Sequence, residues 1–357
     1  MERMHNFSAG PGTLPSEVLE EVKEELLSYK DAGASVMEIS HRSPQYSAVE
    51  ESARALLKSV LGLSDDWHIL FLQGGASMQF YQVPLNFLND SATADYLVTG
   101  AWSKKAVAEA KRIGTTHVAG SGEGDNFSSI PTPDTWALSD RPAYLHYTSN
   151  NTIFGTQFKS TPNVAASLVC DASSDFLGMK IDAEKHGLIY AGAQKNMGPA
   201  GVTIVLVKDD FLSTRKENIP TMLDYGTHVD KLFNTPPVFA VYIVEKVLQW
   251  LNGLGGVAAM QKRNEDKAGV LYNRIDRNDF YRGTAETASR SLMNVTFRLP
   301  SEELESAFID YAKTSGLLAL KGHRSVGGIR ASIYNACEPS SVDALVTFMD
   351  EFERLNG

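Results

Sequence analysis

Six short apolar runs, "HILFLQ", "DYLVTG", "AYLHYTSN", "SLVCDAS", "GLIYAGA" and "GVTIVLV", recur between residues 68 and 207, most of them separated by helical or long irregular stretches. An antiparallel neighbour can be reached through a two-residue hairpin, whereas a parallel one needs a crossover of about a dozen residues or more. Spacing of this kind predicts a mostly parallel sheet covered by helices on both faces, the α/β class. Ahead of the first strand, "LPSEVLEEVKEELLSYKDAG" predicts a helix capped at Ser16, with Val18, Val22 and Leu26 on one face and Gly33 closing it. A second amphipathic helix in "SAVEESARALLKSVLGL" should end at Gly62.

Composition narrows the classes of function. A net charge of -10 over 357 residues opposes a nucleic-acid or anionic-membrane surface. No apolar run approaches the roughly eighteen residues of a membrane span, and the opening "MERMHNFSAGPGT" lacks the apolar core of a secretory signal. The expectation is a soluble, intracellular, cytoplasmic protein with no nucleic-acid or membrane partner. Cys170 and Cys337, the two cysteines, lie in no CxxC or Cys/His cluster, which argues against a metal site or a disulfide framework. After the apolar helix "PPVFAVYIVEKVLQWLNGLGG" the composition changes. The expected organisation is a large domain over residues 16–256, a smaller α+β domain over 257–357, and an N-terminal segment, 1–15, that joins them.

Lys195 stands in "GLIYAGAQKNMGPAGVTIVLV", a stretch otherwise built for burial, on the connection between two strands. An isolated lysine in such a place most often snorkels from a strand end. A partner changes that reading, and Asp171 closes the buried run "SLVCDAS". Strand ends of a parallel sheet share one rim, where ligands of α/β folds collect. "FLQGGASMQF" adds a glycine turn leading into a helix, whose free N–H groups and Ser77 suit an anion. "VTGAWSKKAV" adds Trp102, just before a helix capped by Ser103. Phosphate cradle, aromatic platform, strand-end carboxylate and buried amine together describe a pyridoxal phosphate pocket. The lysine would join the coenzyme aldehyde, the aspartate keep the pyridine nitrogen protonated, and the indole stack on the ring.

"HNFSAGPGTLP", "EISHRSPQY", "LQGGAS", "GAWSKKAVAEA", "SNNTIFGTQF", "CDASSDFLG", "YAGAQKNMGPAG", "FNTPPVFAVY" and "GHRSVGGIRASIYNA" follow one another from residue 5 to about 337. In this the chain resembles the phosphoserine aminotransferase family, class V of the fold type I, aspartate aminotransferase-like enzymes. The resemblance implies a large domain with a seven-stranded, mostly parallel sheet and pyridoxal 5'-phosphate as cofactor. It implies transfer of an amino group between L-glutamate and 3-phosphohydroxypyruvate in serine synthesis, and extends to a phosphorylated 2-oxo acid of vitamin B6 synthesis.

Carried across residue by residue, the resemblance makes Lys195 and Asp171 catalytic and Trp102 the stacking ring. It gives Gly75, Ala76 and Gln194 to the phosphate, and Thr152 to the phenolic oxygen. Asn234 and Thr235 would reach the phosphate of a neighbouring subunit, which implies a homodimer with shared sites. Some relatives carry Gly-Arg where this chain has Ala76 and Ser77. Arg330 suits the substrate α-carboxylate, with His323 and Arg324 near the distal anion. His41 and Arg42 of a second subunit would share that anion, and Ser8 would touch substrate. Rival readings are another class V enzyme, such as an alanine–glyoxylate transaminase or a cysteine desulfurase, and a coenzyme-binding protein without activity. "GSGEGDN" at 120–126 is read as a surface turn, not a nucleotide loop.

Overall fold

Seven strands form the central sheet of the computed structural model, which describes residues 3–229 and 231–357. In chain order they are β1 (Trp67–Leu72), β2 (Thr93–Val98), β3 (Thr115–Ser121), β4 (Tyr144–Thr148), β5 (Leu168–Asp171), β6 (His186–Gly192) and β7 (Thr203–Lys208). They lie side by side as β1-β7-β6-β5-β4-β2-β3. β7 is antiparallel to both its neighbours, and the pairings from β6 across to β3 are parallel. The α/β expectation therefore holds. β3 matches none of the six apolar runs: it is an edge strand, and residues such as Val118, 40% exposed, dilute its pattern.

Why these runs become central strands is visible in β7. Ile204 and Leu206 enter one apolar cluster, while Val205 and Val207 enter the cluster on the opposite face. Both faces are buried, so a run with no polar alternation is what the position demands. The first face is covered by α1 (Ser16–Glu25), α2 (Pro44–Leu61) and, beyond two helices of the other layer, by α5 (Val238–Gly253). α3 (Gly75–Phe87) and α4 (Ala101–Ala110) cover the second face.

Two helix boundaries differ from the sequence expectation. α1 ends at Glu25 instead of near Gly33, and the Ser16 hydroxyl accepts a bond from Arg3 instead of capping. The chain leaves the helix because Tyr29 is buried edge-on against Tyr242 of α5, and its N–H turns back to the Ala34 carbonyl. α2 starts at Pro44, earlier than its apolar period, since the Ser43 hydroxyl accepts from the Tyr46 N–H and proline suits the first helical position. It stops at Gly62, in the left-handed conformation, as expected.

A second core gathers Val295 and Phe297 of β8 (Asn294–Arg298) and Ile329 and Ala331 of β9 (Ile329–Ser332) under the C-terminal helices. α6 (Gly256–Ile275) straddles the two cores: Val257 and Met260 pack with the sheet, and Ala268, Leu271 and Ile275 with the second core. Phe7 also lies in the second core, and His5–Asn6 pairs in parallel with Leu317–Leu318. Among the described residues no helix is long and apolar enough to cross a membrane.

Candidate active site

The turn between β6 and β7 carries Lys195. Met197 and Gly198 N–H groups both bond the Ala193 carbonyl, so the chain folds tightly around the lysine. Half-buried as a residue, Lys195 nevertheless has its amine enclosed by protein. Nζ donates to Thr152 Oγ1 at 2.7 Å and sits 5.7 Å from the Trp102 ring centre. Burial pushes its pKa down to about 8; Asp171 pulls it back up and Arg330 presses it further down. Overhead lies the N-terminal segment, where the Gly12 N–H bonds the Gln194 carbonyl at 2.7 Å. A Cβ on Gly10 would stand 3.5 Å from Lys195 Cγ.

Asp171, the last residue of β5, is 4% exposed. Its Oδ1 accepts from the Ser173 N–H at 3.0 Å and the Ser173 hydroxyl at 2.6 Å. No protein donor is recorded for its other oxygen among the described residues. Burial raises its pKa, against lowering by Lys195 and Ser173. Thr152 links the amine to Arg330, because the same residue that receives Lys195 at its hydroxyl receives Arg330 Nη1 at its carbonyl, 3.3 Å away. Among the described residues Arg330 Nε is buried without a partner, so that edge of the fork is open to an acceptor such as a carboxylate.

Gly75 and Ala76 open α3 behind Gly74, with φ +93° at Gly74 and +65° at Gly75. No side chain caps this end, and a Cβ on Gly75 would meet nothing within 4 Å. Free N–H groups beside open space suit a phosphate. Trp102 lies inside α4, not before it: the helix begins at Ala101, and Ser103 caps it from the first turn by accepting from the Thr99 and Gly100 N–H groups. One free carboxylate oxygen, an enclosed amine, an indole face and an uncapped glycine-rich helix start are the donor set pyridoxal phosphate needs, and the residues fit it.

The aminotransferase class-V family model matches residues 4–345. A phosphoserine aminotransferase of Geobacillus kaustophilus is 52% identical over 357 residues, 99% of either chain. The chain belongs to the phosphoserine aminotransferase family, within aminotransferase class V. It is a pyridoxal-phosphate-dependent transaminase. A solved member of the family from Bacillus circulans subsp. alkalophilus matches with a TM-score of 0.98 at 49% identity, covering 100% of both chains. A pyridoxal-phosphate-bound member from Trichomonas vaginalis matches at 0.93 and 39% identity, over 98% of this chain and 100% of that one.

Of the other residues singled out, His323 lies near Arg330 and Arg324, and their charges add to burial in lowering its pKa. Its Nδ1 bonds the Ser325 hydroxyl at 2.7 Å. Ser8 sits on the N-terminal segment, its N–H bonded to Asn6 Oδ1. Asn234 and Thr235 reach Gln73 of the same chain, at 3.3 and 3.2 Å, just before the glycine turn. His41 and Arg42 precede α2 and, among the described residues, make no bond to the Lys195 cluster within one chain. Of "GSGEGDN", Gly120 and Ser121 close β3 and Gly122 is buried, while Glu123–Asp125 form the exposed turn, in which Glu123 pairs with Lys104.

Sequence reasoning missed the layer beneath. Ser173 orients Asp171, and a serine two residues after an aspartate is a turn signal that could have found it. Asp175 is equally buried, held by Ser149 and by Gln157 at 3.0 Å, and burial pushes its carboxyl up to about 6. Asn196 accepts the Asn335 N–H at 3.0 Å and so ties the lysine turn to the second core. Nothing local in the sequence marks that contact.

Proposed function

We propose that the enzyme transfers the amino group of L-glutamate to 3-phosphohydroxypyruvate, yielding O-phospho-L-serine and 2-oxoglutarate, in two half-reactions that use one pocket in turn. The observation that carries this reading is the convergence of Lys195, Thr152 and Arg330 beside Asp171 and Trp102. When bound, pyridoxal phosphate supplies an aldehyde for the amine and a ring that takes up the electrons of a broken Cα–H bond.

The chain's own residues do the rest. Lys195 Nζ takes the proton from the donor Cα, would pass it to the coenzyme's aldehyde carbon, and makes the reverse transfer to the Cα of the incoming oxo acid, a role that suits a pKa near the working pH. Asp171, with Oδ1 fixed by Ser173, presents its free oxygen to the ring nitrogen. Trp102 covers the ring, Gly75, Ala76 and Gln194 hold the phosphate, and Thr152 the phenolic oxygen. Arg330 grips the α-carboxylate, oriented by the Thr152 carbonyl. His323 and Arg324 take the distal anion, Ser8 approaches the substrate from above, and His41, Arg42, Asn234 and Thr235 act in the pocket of a second copy.

A cytoplasmic homodimer is part of the same proposal, as is use of a longer phosphorylated 2-oxo acid of vitamin B6 synthesis. Support for a transaminase over a desulfurase comes from the cysteines. Cys170 and Cys337 are both buried, and burial raises both thiols, Cys337 to about 11. No thiolate is therefore available as an attacking group.

The test supplies the holoenzyme with 2-oxoglutarate and either O-phospho-L-serine or L-alanine, and measures glutamate. Phosphoserine should be the far better donor; an equal or greater rate with alanine rejects the assignment. Lys195→Ala should keep its circular dichroism and lose at least ~100-fold in turnover, as for removal of a proton-transferring group.

A further inference from the structure

Lys105 stands three residues after Trp102 on α4, on the same helical face. Its Nζ is 4.3 Å from the Trp102 ring centre, and Lys195 Nζ is 5.7 Å from that centre. The two amines can therefore be no further apart than the sum of those distances, whatever side of the indole each occupies. Lys104, its neighbour, is tied to Glu123, but no carboxylate pairs with Lys105 among the described residues. A lysine without a partner normally turns to bulk water; this one holds its ammonium over the indole that also meets the Lys195 amine. The Lys105 charge also joins those of Arg330 and Arg324 in disfavouring protonation of His323, after burial, so the ammonium stands within electrostatic reach of that imidazole.

We propose that Lys105 is a specificity-determining residue, an additional cation at the rim of the pocket that favours a substrate with a distal phosphate over one with a distal carboxylate. The inference rests on the phosphate-bearing substrate assigned above. Both substrates present an α-carboxylate to Arg330, so discrimination has to come from the far end. A phosphate carries close to two negative charges at neutral pH and three acceptor oxygens, against one charge and two oxygens for a carboxylate. A flexible, unpaired ammonium therefore gains more from the phosphate. Held over Trp102, that ammonium stays within about 10 Å of the Lys195 amine.

Lys105→Gln tests this, with Lys105→Arg as the rescue. Lys105 is exposed, so both variants should keep the parent fold. The glutamine variant should raise KM for O-phospho-L-serine roughly three- to tenfold, with kcat little changed and KM for L-glutamate moved less. Lys105→Arg should restore the parent value. Added salt should reduce kcat/KM for phosphoserine more steeply in the parent than in Lys105→Gln. Titrated by NMR, the His323 imidazole should take its proton at higher pH in Lys105→Gln. Equal changes in KM for both substrates, or an unmoved His323 titration, overturn the inference while the parent still consumes phosphoserine. A parent that fails to consume phosphoserine overturns the functional reading instead.

Discussion

At the residue scale the decisive property is the enclosure of one amine. Among 33 lysines and arginines, Lys195 is distinguished in the sequence by its apolar surroundings, and its partner Asp171 by its place at a strand end. The depressed pKa depends on what the fold places around the amine: burial first, Asp171 opposing it, Arg330 reinforcing it. Neutral amine, the form that attacks an aldehyde, accumulates as pH rises through about 8. Capture of pyridoxal phosphate by the apoprotein, followed by stopped-flow absorbance, should accelerate with pH and level off above that value. A profile still climbing toward the ordinary lysine pKa would contradict the burial argument. Asp171→Asn removes the group that raises the amine's pKa, so its profile should shift to lower pH.

At the element scale, strand ends and helix starts put the groups in place. Ser103 is wholly buried and its hydroxyl accepts from two backbone N–H groups at the start of α4, one residue from Trp102. Ser103→Ala leaves both donors unpaired, and urea denaturation should show a loss of about 1–2 kcal/mol. Retained stability would mean that water replaces the hydroxyl. The strands of this layer were legible because burial on both faces imposes an apolar, β-branched run. β3 escaped, being an edge strand with exposed residues. The true end of α1 escaped too, since the contact that stops it, Tyr29 on Tyr242, spans more than two hundred residues of chain.

On the scale of the whole molecule, the sheet and the second core meet at the lysine turn. Asn196 bonds Asn335, the Tyr334 hydroxyl donates to the Ala9 carbonyl at 2.7 Å, and Gly12 bonds Gln194. Among the described residues His41 and Arg42 make no hydrogen bond to this junction within one chain. If a second copy supplies them, chains of Lys195→Ala and Arg42→Ala, mixed and allowed to exchange, should recover turnover of phosphoserine above either parent. Each hybrid would contain one pocket with both groups intact. No gain despite proven exchange would confine the pocket to one chain. Six of the seven central strands, the glycine turn before α3 and the identity of the amine and carboxylate are legible in the chain, because each is written in a short apolar period or a local motif. Folding alone joins Lys195 to Arg330 through Thr152, ties Asn196 to Asn335, and closes residues 8–12 over the lysine. Those contacts join segments far apart in the chain or depend on side-chain direction, and neither propensity nor spacing encodes which distant groups burial will force together.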